Sequence, residues 1–287
     1  MSTVRAIQSF FGPGLHPVFL VLTGLGTSVV LWSLLALYYW LVDPRFGRRL
    51  AITFAASILA NHVLKGAFGT QRPYVADPTL ASVVDRRTGG GAGFPSGHSM
   101  NAATFYLAFA FRYRRPLLWL AALLLMAGVG LSRLYLGVHL PEDVGGGFIL
   151  GALFAGAAGW WSGPPAWPLK RRIQVPLAMV AGLAVAVLTD PLSCGLLLGS
   201  LLARPDFEPP RDGKGRAVIV GGGIVLVALL GGLLLWLPEK LAPGLVHRAP
   251  VAFLIYMVIA WVGLDVWPRW AARSWGSGRH QTLSVRD

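Results

Sequence analysis

Residues 116–161 read PLLWLAALLLMAGVGLSRLYLGVHLPEDVGGGFILGALFAGAAGWW, two apolar runs at 116–136 and 144–161 closed around SRLYLGVHLPED at 132–143. A helix needs about 20 mostly apolar residues to cross about 30 Å of hydrocarbon, and each run is close to that length. The pair predicts two antiparallel transmembrane helices joined at one membrane face. Ser132, Arg133, His139 and Asp143 gather at the join. Ionisable side chains beside a span are costly, so they mark function by default.

The same ruler finds further segments near 18–42, 50–68, 98–112, 173–189, 216–237 and 248–267, with 191–203 (PLSCGLLLGSLLA) as a short ninth. Of 287 residues 55% are hydrophobic and only 13% are charged, with mean hydropathy +0.61, whereas a soluble domain carries about 25% charged residues. The predicted fold class is therefore all-α, a polytopic integral membrane bundle of about nine transmembrane helices. An N-terminal amphipathic helix precedes it, with Val4, Ile7, Phe10 and Phe11 on one face before Gly12-Pro13-Gly14, and is expected to lie along the interface. This stretch does not read as a cleavable signal, since Arg5 alone precedes a long first span that others follow. The expected organisation is an interfacial helix at 1–15, a membrane core at 16–190, additional helices at 191–267 and a basic tail at 268–287.

The net charge of +13 comes from 25 Lys and Arg against 12 Asp and Glu. On a soluble chain that excess would suggest nucleic acid. Here the basic residues cluster between apolar runs, where they meet anionic lipid headgroups and set orientation, so membrane lipids are the expected partners and nucleic acid is not. The single Cys194 excludes an internal disulfide and a cysteine-based zinc site. The GGGAG run at 89–93 lacks the GxxxxGK[ST] pattern and reads as a flexible loop, not a nucleotide cradle. Gly147 and Gly151 have the spacing of close helix packing.

Three polar groups fall at the same face, because consecutive spans alternate in direction. The end of the second span is KGAFGTQRP, with Lys65 and Arg72; the third begins with PSGH at 95–98; the fourth and fifth are joined by Ser132 to Asp143. Lys65, Arg72 and Arg133 bring fixed cations to one place, and a planar guanidinium suits a tetrahedral oxyanion. A helix starting at Ser96-Gly97-His98 points free N–H groups and its positive dipole end into the same space, with Ser96 as cap and Gly97 admitting close approach. His98 and His139 remain, with Asp143 one turn beyond the second. An Asp there can fix one imidazole tautomer so that the other nitrogen is a nucleophile, while the second histidine protonates a leaving oxygen. That is phosphoryl transfer through a phosphohistidine. A metal at His139, Glu142 and Asp143 is disfavoured, because the neighbouring cations would repel it. His16, His62, His247 and His280 read as packing or surface, and Asp265 as an interhelical contact.

These residues resemble the type 2 phosphatidic acid phosphatase superfamily, whose pattern KxxxxxxRP, PSGH and SRxxxxxHxxxD is matched at Lys65–Pro73, Pro95–His98 and Ser132–Asp143. The resemblance covers about 50–160. It implies His139 as nucleophile, Asp143 as its orienting partner and His98 as general acid, with Lys65, Arg72, Ser96, Gly97 and Arg133 holding phosphate, and no metal or other cofactor. The implied function is a metal-independent membrane phosphatase acting on a lipid phosphate or diphosphate, with undecaprenyl diphosphate or a related phospholipid phosphate favoured. The alternative is a membrane phosphatase for a soluble phosphomonoester, similar to glucose-6-phosphatase. Soluble vanadium haloperoxidases share the cage but not the spans.

Orientation follows from charge. Arg45 to Arg49, Arg112 to Arg115 and Lys170 to Arg172 fall on the face opposite the motifs, whereas the motif-side loops before residue 173 hold only Arg86 and Arg87 beyond the ligands. The positive-inside rule places that basic face in the cytoplasm. The expected location is a bacterial inner membrane, with the site extracytoplasmic and the C-terminus cytoplasmic.

Overall fold

The computed structural model describes residues 1–160 and 171–276. Lys170, the tail beyond Gly276 with Arg279 and Arg286, and His280 lie outside the described residues. In chain order the helices are α1 (Ser2–Phe11), α2 (His16–Gly24), α3 (Ser28–Leu41), α4 (Pro44–Phe68), α5 (Pro73–Ala76), α6 (Val83–Arg87), α7 (Gly97–Tyr113), α8 (Pro116–Tyr135) and α9 (Pro141–Trp160). They continue as α10 (Arg171–Leu188), α11 (Pro191–Leu202), α12 (Gly213–Leu241), α13 (Ala249–Trp261) and α14 (Trp267–Gly276). No strand occurs among the described residues.

Five helical stretches are long and apolar enough to cross a membrane: Pro44–Ala76, Pro116–Tyr135, Pro141–Trp160, Gly213–Leu241 and Ala249–Ser274. A sixth is reached if Ser2–Phe11 and Pro13–Gly24, bent by 83°, form one span. This differs from the nine segments expected from apolar runs, and the first shows why. The run 18–42 is two helices, because Leu25, Gly26 and Thr27 donate to Leu22, Thr23 and Gly24 in tight turns that end α2. A Cβ at Gly26 would stand 2.7 Å from Val129 Cγ1 and 3.0 Å from the His98 carbonyl. The chain breaks where two other helices come close. The pieces Ser28–Leu41, Val175–Leu188 and Pro191–Leu202 are apolar but short.

The chain divides into two compact units, Met1–Ser33 with Ala56–Ser162, and Leu34–Ala55 with Gly163–Asp287. In the first, α7 packs along α9, α8 along α7, and α2 along α8. Glycine makes the α7–α9 approach close: a Cβ at Gly147 would meet the Ser96 carbonyl at 2.7 Å, and one at Gly151 the Met100 carbonyl at 2.5 Å. Phe19 stacks on Tyr135 at 3.9 Å between centroids, in a buried cluster with Leu136, Val138 and Ala81. Helix α1 is pinned to this cluster by Gln8 Nε2, which donates to the carbonyls of Leu80 (2.7 Å) and Tyr135 (2.8 Å). Val4 is buried, while Phe10 on the same helix is exposed.

In the second unit α11 packs against α13, with Gly195 and Gly199 against the carbonyls of Phe253 and Met257. A π-helical turn, Val262–Val266, follows α13. A π-turn loosens the regular ladder, and side chains take its carbonyls: Trp40 Nε1 donates to Gly263 O at 2.8 Å and Tyr39 Oη donates to Leu264 O. Buried Asp265 pairs with Arg269 and accepts from Trp261 Nε1 at 3.0 Å.

Candidate active site

Seven of the eight residues singled out from the motifs sit at helix ends of the first unit, and His139 lies between two helices. Lys65 is in the last turn of α4, and Arg72 caps the N-terminus of α5. Ser96 caps α7, which Gly97 and His98 begin. Arg133 lies in the last turn of α8, and Asp143 in the first turn of α9. Antiparallel helices thus deliver their termini to one place, where backbone N–H groups are unpaired and fixed charges can be met.

His139 Nδ1 and the Leu140 N–H converge on Asp143 Oδ2, at 3.2 and 2.9 Å. A carboxylate only accepts, so Nδ1 carries the proton and Nε2 the lone pair. Arg72 Nη1 stands 3.1 Å from that Nε2. His139 is buried, and burial, reinforced by the Arg72, Arg133 and Lys65 cations, holds its pKa well below the usual histidine range. The imidazole is neutral at physiological pH, as a nitrogen nucleophile requires.

The cations meet the loop before α7. Arg72 donates from Nε to Gly91 O at 2.9 Å, from Nη2 to Gly90 O at 2.6 Å and from Nη1 to Val138 O at 2.9 Å. Lys65 Nζ donates to the carbonyls of Ala92 and Gly93. Arg133 donates to Thr23 Oγ1 and to both oxygens of Thr88. A Cβ at Gly89 would stand 2.6 Å from Arg72 Nη1. The GGGAG run, read from sequence as a flexible loop, is a set of carbonyl acceptors laid on the cations. Thr70 fixes its end, accepting from the Phe94 N–H at 2.7 Å while its carbonyl accepts from the Gly93 N–H at 2.8 Å.

The PSGH turn is tied to the same centre. The Ser96 N–H donates to the Asp143 carbonyl at 2.9 Å, and the Ser96 hydroxyl accepts from Ser99 N at 3.4 Å and from Ser99 Oγ at 3.0 Å. Asn61, one turn before Lys65, donates to Pro95 O at 3.2 Å, and its Oδ1 lies 3.2 Å from where a Gly97 Cβ would be. The His98 imidazole makes no hydrogen bond to a described residue and lies within electrostatic reach of Arg133, His139, Arg72 and Lys65. Among the described residues no three His, Cys, Asp or Glu side chains form a metal-ligand set.

The structure therefore gathers Lys65, Arg72, Ser96, Gly97, His98, Arg133, His139 and Asp143 in one unit. Sequence reasoning missed Thr23, Asn61, Thr70 and Thr88. Their only signal is a hydroxyl or amide within an apolar run or beside a motif. His16, set aside as packing, pairs with Asp85 at 2.9 Å.

A family model of the PAP2 superfamily matches residues 46–165, the stretch carrying all three motifs. The phosphatidylglycerophosphatase B of Bacillus subtilis is 32% identical over 154 residues, 49% of this chain and 72% of that one. The chain belongs to the PAP2 superfamily. A lipid A 4'-phosphatase of Bacteroides thetaiotaomicron is 31% identical over 153 residues, 50% of this chain and 64% of that one. Among solved structures, a transmembrane PAP2-type phosphatidylglycerolphosphate phosphatase from Bacillus subtilis matches 55% of this chain and 81% of that one, at 30% identity and TM-score 0.47. These PAP2 relatives are named as phosphatases of lipid phosphates, and each matches about half of this chain.

Proposed function

We propose that this chain is a membrane phosphatase that hydrolyses a lipid phosphate or diphosphate through a phosphohistidine on His139. One observation carries the reading. Arg133 has none of its surface exposed and its Nε–H has no partner among the described residues, beside two further cations and a neutral imidazole whose Nε2 lone pair faces Arg72 Nη1 at 3.1 Å. A buried unpaired N–H is costly and asks for an acceptor. In that position the acceptor is an anion.

The substrate phosphate takes its hydrogen bonds from Lys65 and Arg72, in place of loop carbonyls, from the Arg133 Nε–H and from the N–H groups at the start of α7. His139 Nε2 attacks phosphorus as the bond to the leaving oxygen breaks, and His98 gives that oxygen its proton. Asp143 holds the imidazolium that develops. Water then attacks phosphorus, giving up a proton to His98, as the phosphorus–nitrogen bond breaks and its electron pair returns to Nε2, and inorganic phosphate leaves with His139 neutral again. The cations offset charge in the transition state.

The favoured substrate is undecaprenyl diphosphate or a related phospholipid phosphate in a bacterial inner membrane. The site faces the extracytoplasmic side, the C-terminus is cytoplasmic, and the shorter helices complete a nine-span topology that includes a catalytic core at 16–190. The relatives' lipid substrates and the apolar surroundings of the motifs support this. The test is a panel on the purified chain in detergent: undecaprenyl diphosphate, phosphatidic acid, phosphatidylglycerophosphate, a lipid A precursor and glucose 6-phosphate, each with EDTA and with vanadate. Turnover of one or more lipids, insensitive to EDTA and blocked by vanadate, is expected. Turnover of glucose 6-phosphate alone would replace the lipid with a soluble substrate, and activity lost to EDTA and restored by metal would defeat the mechanism.

A further inference from the structure

A guanidinium presents five N–H groups in three directions: an end-on edge shared by Nη1 and Nη2, a side-on edge shared by Nη2 and Nε, and one Nη1–H beside Cδ. In Arg133 protein acceptors occupy two of the three. Thr88 takes the end-on edge with both its oxygens, Nη1 donating to Oγ1 at 3.1 Å and Nη2 to the main-chain oxygen at 2.9 Å. Thr23 Oγ1 takes the other hydrogen of Nη1. The side-on edge remains, with its Nε–H buried and without a partner among the described residues.

We infer that Thr23 and Thr88 are positioning residues, which clamp two edges of Arg133 so that its side-on edge is held toward the substrate phosphate. This rests on the phosphatase reading above. A bidentate contact needs the guanidinium plane fixed as well as its charge, and neither threonine needs to touch the substrate to do it. Thr23 is buried on α2, outside the matched residues 46–165. The turn that follows α2 braces the second catalytic element as well. Tyr106 Oη donates to Leu25 O at 2.8 Å, Asn101 Nδ2 donates to Gly26 O at 3.4 Å, and Gly26 lies against the backbone of His98. The segment before the motifs is thereby part of the site.

Thr23→Val keeps the shape and removes the acceptor, whereas Thr23→Ser keeps the acceptor and removes the methyl. On the purified full chain the readouts are the inhibition constant of orthovanadate, kcat and KM on the best substrate, and thermal unfolding. Losing a hydrogen bond to a charged group costs enough to predict a 10- to 100-fold weaker vanadate inhibition and a similar fall in kcat/KM for Thr23→Val, with Thr23→Ser within about threefold of wild type. Thr88→Val, which keeps its carbonyl, is expected to move the same way by less. A Thr23→Val protein with wild-type vanadate inhibition overturns the clamp. So does a Thr23→Ser protein as impaired as Thr23→Val, which would make methyl packing the cause. If Thr23→Val does not fold, Thr88→Val decides: weaker vanadate inhibition supports the clamp and unchanged inhibition overturns it. A wild-type chain that neither turns over the panel nor binds vanadate would instead remove the phosphatase reading, and the clamp with it.

Discussion

Gly147 lies on α9 one helical turn after Asp143, where α9 meets the start of α7. A Cβ there would stand 2.7 Å from the Ser96 carbonyl oxygen, 3.0 Å from Ser99 Cβ and 3.1 Å from Met100 N. Ordinary contact begins at 3.4 Å, so Gly147→Ala forces the Ser96 carbonyl and α9 apart by about 0.7 Å, and close-packed backbone does not swing aside as a side chain would. Ser96 N also donates to the Asp143 carbonyl at 2.9 Å. The displacement therefore acts on the hydrogen bond joining the phosphate-binding turn to the helix that orients the nucleophile. Misplacing reacting groups by about 1 Å costs about 10²-fold in rate, so kcat/KM is expected to fall about 10- to 100-fold. Overpacking costs about 1–3 kcal/mol, equivalent to a fall in unfolding temperature of about 2–10 °C in a chain of this size. The assay is hydrolysis of an aryl phosphate in detergent with thermal unfolding alongside. Gly145→Ala, where a Cβ meets nothing within 4 Å, is the control. Wild-type kcat/KM and stability in Gly147→Ala, or equal damage in Gly145→Ala, would refute this coupling of helix packing to chemistry.

Arg72 directs its N–H groups to Gly90, Gly91, Val138 and His139, a planar fan that an ammonium cannot reproduce; Arg72→Lys is expected to lower kcat/KM on the best substrate by about 10²-fold despite conserving charge, and a loss under threefold would argue against a geometric role. His98→Ala is expected to slow a lipid phosphomonoester about 10²- to 10⁴-fold but an aryl phosphate much less, because a phenolate leaves without a proton; equal losses on both would remove His98 as general acid. Burial lowers the pKa of His139, so between about pH 6.5 and that lower value the unfolded chain binds the proton and the folded chain does not, and stability falls with acidity by up to about 1.4 kcal/mol per pH unit. His139→Gln is expected to flatten this slope in denaturant unfolding between pH 5 and 6, and an unchanged slope would contradict a neutral buried imidazole.

The motifs were legible because their chemistry needs particular side chains at particular spacings. Arg133, His139 and Asp143 fall on one polar connection between two apolar runs, and the i, i+4 spacing of His139 and Asp143 is enough to predict their hydrogen bond. Gly147 and Gly151 likewise announced a close helix crossing. The span count was less legible, since hydropathy alone does not register that Leu25–Thr27 turns within one apolar run, where Gly26 lies close to Val129 and His98, far away in sequence. Thr23 was hidden for the same reason: a lone hydroxyl in VLTGLG carries no periodic signal, and its role depends on which guanidinium folds against it. The glycines at 89–91 suggested freedom, whereas at Gly89 the absent Cβ makes room for Arg72. The π-turn at Val262–Val266 has no composition of its own, and the Tyr39 and Trp40 donors that take its carbonyls lie far away in sequence.

The most direct test is rapid quenching of the enzyme in alkaline detergent during turnover of a substrate labelled with radioactive phosphorus, followed by peptide mapping under the same alkaline conditions, which preserve a phosphorus–nitrogen bond. Label is expected on the peptide containing His139, chased by unlabelled substrate at a rate no slower than kcat, and absent in His139→Ala. Label on His98, Ser96 or Asp143, or full turnover in His139→Ala, would contradict it.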